Sequence, residues 1–344
     1  MILVVLSHVE CWGLKMEYGY AGVNDLLRIF RMPLFFFVSG FIAFRANEEW
    51  NWSHYKGNLL KKMRIQIIPM LFFGLLFTFL VYFPKYEPTP EHPLFAFFND
   101  LDKHGYWFTE ALLGMFVIYY TVSFLLRKCS LVVRQGVLVA IALAFYALAF
   151  RSITGYANIP IANWLCLYKI FLFFQFFVFG NLVSCYRDKV FKALGNSYVS
   201  AAVLLLFAGL YIFYYFRHDV QSVYVVTPLS KLTAEAIRYL GVITMVMIFR
   251  HFEHTFSQTT RIGRGLQYIG RRTLDIYLFH FFLIPTLPMV GAFLTSTPNM
   301  LLELVTVISL SLLVIAFCLI ISNIIRISPF LAYWLFGVKK KQNN

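Results

Sequence analysis

The side chains with most chemical potential are ionisable groups set in or beside apolar runs: His8, Arg31, Glu110, Lys169, Glu235, Asp275, His280 and Glu303. A charge in such surroundings is costly unless it is paired or wetted, so each needs a reason. His8 lies in ILVVLSHVECW, where a neutral imidazole can take a proton from an attacking hydroxyl or amine. The same histidine can equally serve a helix–helix hydrogen bond. On a helix Glu10 does not share its face, whereas Cys11 and Trp12 do, so an orienting carboxylate must come from another helix. His280 has Tyr277 as its i−3 neighbour, and Asp275 points elsewhere. For His280 an interhelical hydrogen bond and direct chemistry both remain open, and Lys169 and Glu303 are read as an intramembrane pair or as interface residues.

A second chemistry is anion binding. Lys61, Lys62 and Arg64 precede Pro69, a cluster that is either a topology signal or a grip on phosphates. Arg271 and Arg272 stand at the start of GRRTLDIYLFH, where a helix N-terminus offers free N–H groups to an anion. Arg31 opens RMPLFFFVSGF; it either snorkels to an interface or joins the site. Pro33 is expected near a helix start, with Ser39 and Gly40 allowing a bend or close helix approach.

These groups must be held by membrane helices. The 344 residues are 60% hydrophobic and 13% charged, with a mean hydropathy of +0.70, which a water-soluble domain could not expose. The +14 formal charge is scattered between apolar runs, with Lys339, Lys340 and Lys341 as its longest block, so nucleic acid is not expected as a partner. Five cysteines without CxxC or ligand-like spacing imply neither disulfide nor metal, and no Walker, GxSxG, HExxH or dinucleotide motif is present.

The expected fold is all-α integral membrane, with about ten transmembrane helices near 1–12, 24–45, 66–84, 107–126, 132–150, 164–186, 198–216, 233–250, 272–294 and 300–325. Polar connections fall at 46–65, 84–106, 217–232 and 251–271, and Pro84, Pro88, Pro90 and Pro93 make the second rich in turns. Lysine and arginine crowd the second-to-third loop (Arg45, Lys56, Lys61, Lys62, Arg64) and the eighth-to-ninth (Arg250, Arg261, Arg264, Arg271, Arg272). By the positive-inside rule these loops and both termini are cytoplasmic. Residues 1–338 form one transmembrane domain and 339–344 a basic cytoplasmic tail. The first apolar run is short for a span, and the expectation is that chain belonging upstream of Met1 completes it.

The segments LVVLSHVE, RMPLFFFVSGF, KKMRIQIIPML, GYWFTEALL and YIGRRTLDIYLFHFF, in this order, resemble the integral membrane acyltransferase type 3 family. The resemblance implies a multi-pass protein of the cell (inner or plasma) membrane. It would move an acyl group, typically acetyl, from acetyl-CoA or another acyl-CoA to a carbohydrate, lipid-linked or other cell-envelope acceptor, as in polysaccharide O-acetylation. It implies no metal. By resemblance His8 is the catalytic base or acyl acceptor, Arg64 meets the donor's phosphates, and Trp107, which with Phe108 matches a family aromatic pair, belongs to the acceptor or acyl pocket. Arg31 takes a weaker donor-side role, Arg271 and Arg272 join the donor site, and His280 with Tyr277 supports His8 or the substrate. The family's arginine upstream of the histidine falls before Met1. The competing readings are a proton-coupled secondary transporter, which buried His, Glu and Lys residues also build, and an inactive relative of the same fold.

Overall fold

The computed structural model describes residues 1–16, 23–46, 48–86, 93–151, 159–217, 228–297 and 299–338. The basic tail 339–344, Pro88 and Pro90 lie outside the described residues. Among the described residues the regular structure is helical throughout. Helix α1 (Ile2–His8) passes into a π-helical turn at Val9–Gly13 and is followed by α2 (Val23–Ala43). Next, α3 (Trp52–Phe77) runs through a second π turn, Thr78–Tyr82, into α4 (Phe83–Tyr86). Then come α5 (Pro93–Asn99), α6 (Trp107–Leu125), α7 (Leu131–Arg151), α8 (Pro160–Trp164), α9 (Leu167–Cys185), α10 (Arg187–Leu194) and α11 (Ser197–Arg217). The chain ends with α12 (Pro228–His251), α13 (Arg261–Arg271), α14 (Thr273–Leu283), α15 (Pro288–Ser296), α16 (Met300–Ile325) and α17 (Pro329–Phe336).

Local chemistry explains the boundaries. Helices α8, α12, α15 and α17 open on proline, whose missing N–H costs nothing in a first turn. Asn51 Oδ1 accepts from the His54 N–H at 2.8 Å and caps α3, and Gly337, at φ +65°, closes α17. Capping at Asn51 starts α3 inside the expected loop 46–65, so Lys56, Lys61, Lys62 and Arg64 are helical. Likewise α13 occupies part of the expected loop 251–271.

Among the described residues, seven helices are long and apolar enough to cross a membrane, or eight if α14 and α15 count as one broken span. The other two expected segments are helical as α1 with its π turn, short and apolar, and as α2, which carries Asp25, Arg28 and Arg31. The ninth segment, expected to be continuous over 272–294, is interrupted between Leu283 and Pro288, because Pro285 and Pro288 cannot continue the hydrogen-bond ladder. Pro33 is also not at a helix start: α2 begins ten residues earlier, and Pro33 sits inside it.

The chain sorts into two compact units. The first comprises Met1–Phe44, Phe179–Arg271 and Thr286–Ser311. There α2 packs on α1 and α12, and α11 on α12. Phe37, Val183 and Val242 form a core with Leu34, Phe41 and Phe179 around them. Gly180 allows the closest approach: a methyl there would stand 1.9 Å from the Phe37 carbonyl oxygen. Glu235, buried on α12, is paired with Arg238 at 2.6 Å. None of the apolar window of α11 is buried, and Leu205 is 73% exposed, the pattern of a helix facing hydrocarbon.

The second unit comprises Arg45–Val178, Arg272–Pro285 and Leu312–Asn344. Its centre is α3, which packs on α6, α14 and α17. Phe73 meets Phe279 edge to face at 4.9 Å, and Phe77 lies against Tyr106, Phe281 and Phe282.

Candidate functional site

In the first unit, His8 stands where α1 gives way to the π turn. Such turns are rare and recur at functional positions, because the extra residue re-aims side chains. The ring is half-buried and meets Trp12 edge to face at 6.3 Å, so the two share the face that helical spacing assigns them. Glu10 is buried behind them. Arg31 projects from α2, which packs on α1, and Glu10, Cys11 and Arg28 are near enough to act on its charge. Its Nε and Nη1 are buried without a hydrogen-bond partner among the described residues. Arg271 ends α13 as an exposed cation whose Nη2 reaches Gln267 Oε1 at 3.4 Å.

In the second unit, Trp107 opens α6 directly after the turn Lys103–His104–Gly105, which is the centre of the arrangement. All three residues have positive φ (47°, 51° and 101°), and the two that are not glycine are strained by about 1–3 kcal/mol each. Lys103 holds the turn in place. Fully buried, its ammonium donates to the carbonyls of Phe98 at 2.6 Å, Asp100 at 3.1 Å and Asn163 at 2.6 Å, using all three donors. The His104 N–H donates to Asp100 Oδ2 at 2.7 Å, and its Nδ1 lies 2.9 Å from Thr78 Oγ1. The ring stacks on Tyr82 at 3.7 Å, so it rests on the π turn of the third span. Burial holds the His104 imidazole below its usual pKa, against the pull of Asp100 and with help from Lys103.

This turn docks on α14. The Tyr277 hydroxyl donates to the Gly105 carbonyl at 3.3 Å, the Tyr106 hydroxyl donates to the Leu278 carbonyl at 2.8 Å, and Phe281 fills the space beside Gly105. His280 is fully buried one turn beyond Tyr277. Its Nδ1 lies 2.8 Å from the Tyr277 carbonyl and 3.0 Å from that of Ile276. Carbonyls only accept, so Nδ1 carries the proton and Nε2 is the basic nitrogen. Trp107 is half-buried, stacked on Phe173 at 5.9 Å with Lys169 Nζ 4.6 Å from its ring. The carboxylate partner of Lys169 is Asp102, at 2.6 Å.

The cationic candidates of this unit separate into two kinds. Arg64 stacks on Tyr333 at 4.0 Å, and its buried Nε has no hydrogen-bond partner among the described residues. Arg272 is engaged: Nη1 lies 3.3 Å from Asp275 Oδ2 and 2.9 Å from Ser322 Oγ. Asp275, almost fully buried, also accepts three bonds from Arg326, from Nε at 3.0 Å and from Nη2 at 3.0 and 2.7 Å, and one from Ser322. Sequence reasoning gave no site role to Arg326 or to the Lys103 clamp. The available signal for the turn was the string Asp-Leu-Asp-Lys-His-Gly, since Asp and Gly favour such conformations.

A family model described as Acyltransferase domain, that of the acyltransferase 3 family, matches residues 1–323, nearly the whole chain. No curated protein and no solved structure matches the chain. The match runs from the short first helix past the buried Asp275 cluster and into the last long span, so it takes in His8, Arg64, Trp107 and His280 within one family pattern. By that coverage this multi-pass membrane protein belongs to the acyltransferase 3 family.

Proposed function

We propose that the protein transfers an acyl group, acetyl first among them, from acyl-CoA to a hydroxyl or amine of a carbohydrate, lipid-linked or other cell-envelope acceptor, in the inner or plasma membrane. The observation that carries this reading is the placement of His8 at an α-to-π transition beside Trp12, in a chain of this family. In the transfer, neutral His8 takes the acceptor's proton as its oxygen or nitrogen attacks the thioester carbonyl. The new C–O or C–N bond forms, the C–S bond breaks, and the leaving thiolate recovers a proton from the imidazolium. Acylation of His8 itself, followed by transfer, uses the same neutral imidazole. A bundle that keeps bulk water away protects the thioester from hydrolysis.

Each unit contributes roles that can be tested residue by residue. In the first, Arg31 and the exposed Arg271 are assigned to the donor side. In the second, Arg64 is assigned to the donor's phosphates, which a guanidinium with a bare Nε suits. Arg272, already bound to Asp275, supports that side by holding α14. Trp107 is assigned to the acceptor or acyl pocket, and Tyr277 and His280 support the substrate.

The test is release of CoA thiol from acetyl-CoA by purified protein, with and without pooled sugar acceptors, compared with His8→Ala. Histidine-dependent release that rises with acceptor supports the reading. Absence of both release and acetyl-CoA binding overturns it, and proton-coupled uptake without CoA dependence would point to transport.

A further inference from the structure

The first unit carries a basic rim that the proposed chemistry does not use. Helix α10 has no buried residue, and Arg187 lies 5.3 Å from the Phe191 ring centroid. Arg250, at the end of α12, lies 5.2 Å from the same ring. Two guanidiniums therefore converge on one aromatic side chain. Arg187 is exposed, while Arg250 is half-buried and its Nη1 has no hydrogen-bond partner among the described residues. A desolvated guanidinium N–H without an acceptor favours an anion.

Helix α13 extends this rim. Phe256 packs against Phe249 at 5.0 Å and accepts through its carbonyl from Gln267 Nε2 at 2.9 Å, which folds α13 back toward the end of α12. Gly263 is buried, and a methyl there would stand 1.9 Å from the Ser257 carbonyl oxygen, so that face of α13 is turned inward. Away from Gly263, α13 exposes Arg261, Arg264 and Tyr268, the last 41% exposed, on one side and Ile262, 61% exposed, on the adjoining side. Cations bordered by exposed apolar and aromatic side chains are what an interfacial helix presents to a bilayer. Tyr198, 88% exposed at the start of the lipid-facing α11, adds an aromatic side chain of the kind enriched at headgroup level. Asp188 and Glu253 are the only acidic residues in 186–196 and 250–272, so the rim is strongly positive.

We infer that this rim binds an anionic phospholipid, its headgroup phosphate held by Arg187 and Arg250 and its surroundings contacted by α13. A soluble nucleotide would use the cations but not Ile262, Tyr268 and Tyr198, which favours the lipid. The inference is independent of the acyl-transfer reading and needs only the membrane.

The experiment is native mass spectrometry of the full-length protein in neutral detergent, titrated with phosphatidylglycerol or phosphatidylcholine. The expected result is about twenty-fivefold or more tighter binding of phosphatidylglycerol, on the order set by two or more basic residues near a phosphate at about fivefold each. Arg187→Gln lowers that affinity about fivefold, and Arg187→Gln with Arg250→Gln about twenty-fivefold, while phosphatidylcholine binding is unchanged. Arg261→Gln with Arg264→Gln weakens phosphatidylglycerol in the same direction. Arg187 is exposed, so its variant keeps the test open if changes at Arg250 disturb folding. Equal binding of the two lipids, or Arg187→Gln binding phosphatidylglycerol as wild type does, overturns the inference. So does stoichiometric displacement of the lipid by acetyl-CoA, which would assign the arginines to nucleotide phosphates.

Discussion

The hydroxyl of Tyr106 donates to the main-chain carbonyl of Leu278 at 2.8 Å, tying the residue before Trp107 to the helix that carries Tyr277 and His280. Tyr106 is fully buried, so its O–H has no water to turn to. Tyr106→Phe is expected to lower stability by about 1 kcal/mol, measured by denaturation in detergent. An unchanged midpoint would mean that the bond contributes nothing net.

Two glycines should respond with opposite signs. Gly105 has φ +101°, and a Cβ there would stand 2.2 Å from the Phe281 ring, so Gly105→Ala is expected to destabilise by more than about 1 kcal/mol. Gly57, on α3, has nothing within 4 Å of its Cβ position, and Gly57→Ala should stabilise by about 0.5–1 kcal/mol. Thermal melts of both variants check the pair.

Asp275 accepts from Arg326 and Arg272 in a nearly dry setting. Removing its charge leaves two cations facing each other, and Asp275→Asn should cost about 3–5 kcal/mol. In a double-mutant cycle, Arg326→Gln should recover part of that loss. Strict additivity would show that the two groups are not coupled.

His104 gives the fold a pH dependence whose sign can be worked out. Its folded pKa lies below the unfolded value of about 6.5, so the unfolded chain takes up the proton first. The stabilisation from neutral His104 is full above that unfolded value and is lost as pH falls toward the folded pKa. Stability should therefore fall as pH drops below about 6.5, and less steeply in His104→Gln. The same slope in both proteins would assign the effect to other groups.

On the acyl-transfer reading, Arg64→Gln should weaken acetyl-CoA binding by about 10- to 100-fold, the cost of losing a charge-assisted contact. Calorimetric titration would measure this. Unaltered affinity would remove Arg64 from the donor's phosphates.

The helical class and the approximate positions of the long apolar helices were legible in the sequence because long apolar runs have few alternatives in a membrane, whereas short helices such as α10, α13 and α17 were not. The shared face of His8 and Trp12 was legible for the same reason: 3.6-residue periodicity is local. What was not legible depended on residues far apart in the chain. Lys103 looks like an ordinary loop lysine until Asn163, sixty residues on, supplies one of its carbonyls. Arg326 reads as a topology signal until Asp275 is found beside it. Asp102, sixty-seven residues before Lys169, is not marked as its partner by any local pattern, and the turn at 103–105 is what brings them together. Pro33 shows the opposite failure, a local rule overridden because the packing of α2 on α1 and α12 tolerates a proline inside the helix.

The break between α14 and α15 frees the Leu287 N–H, which donates to the Gly13 carbonyl at 2.7 Å, and Gly291 brings the next turn against Leu14. The Gly13 carbonyl therefore finds this partner only after Leu287, far along the chain, has left the ribosome. The segment bearing His8 is thus synthesised well before the residue that secures it. A nascent chain arrested before Leu287 would present that histidine on an unanchored segment, so synthesis through Leu287 acts as a licence for the role that the acyl-transfer reading gives His8.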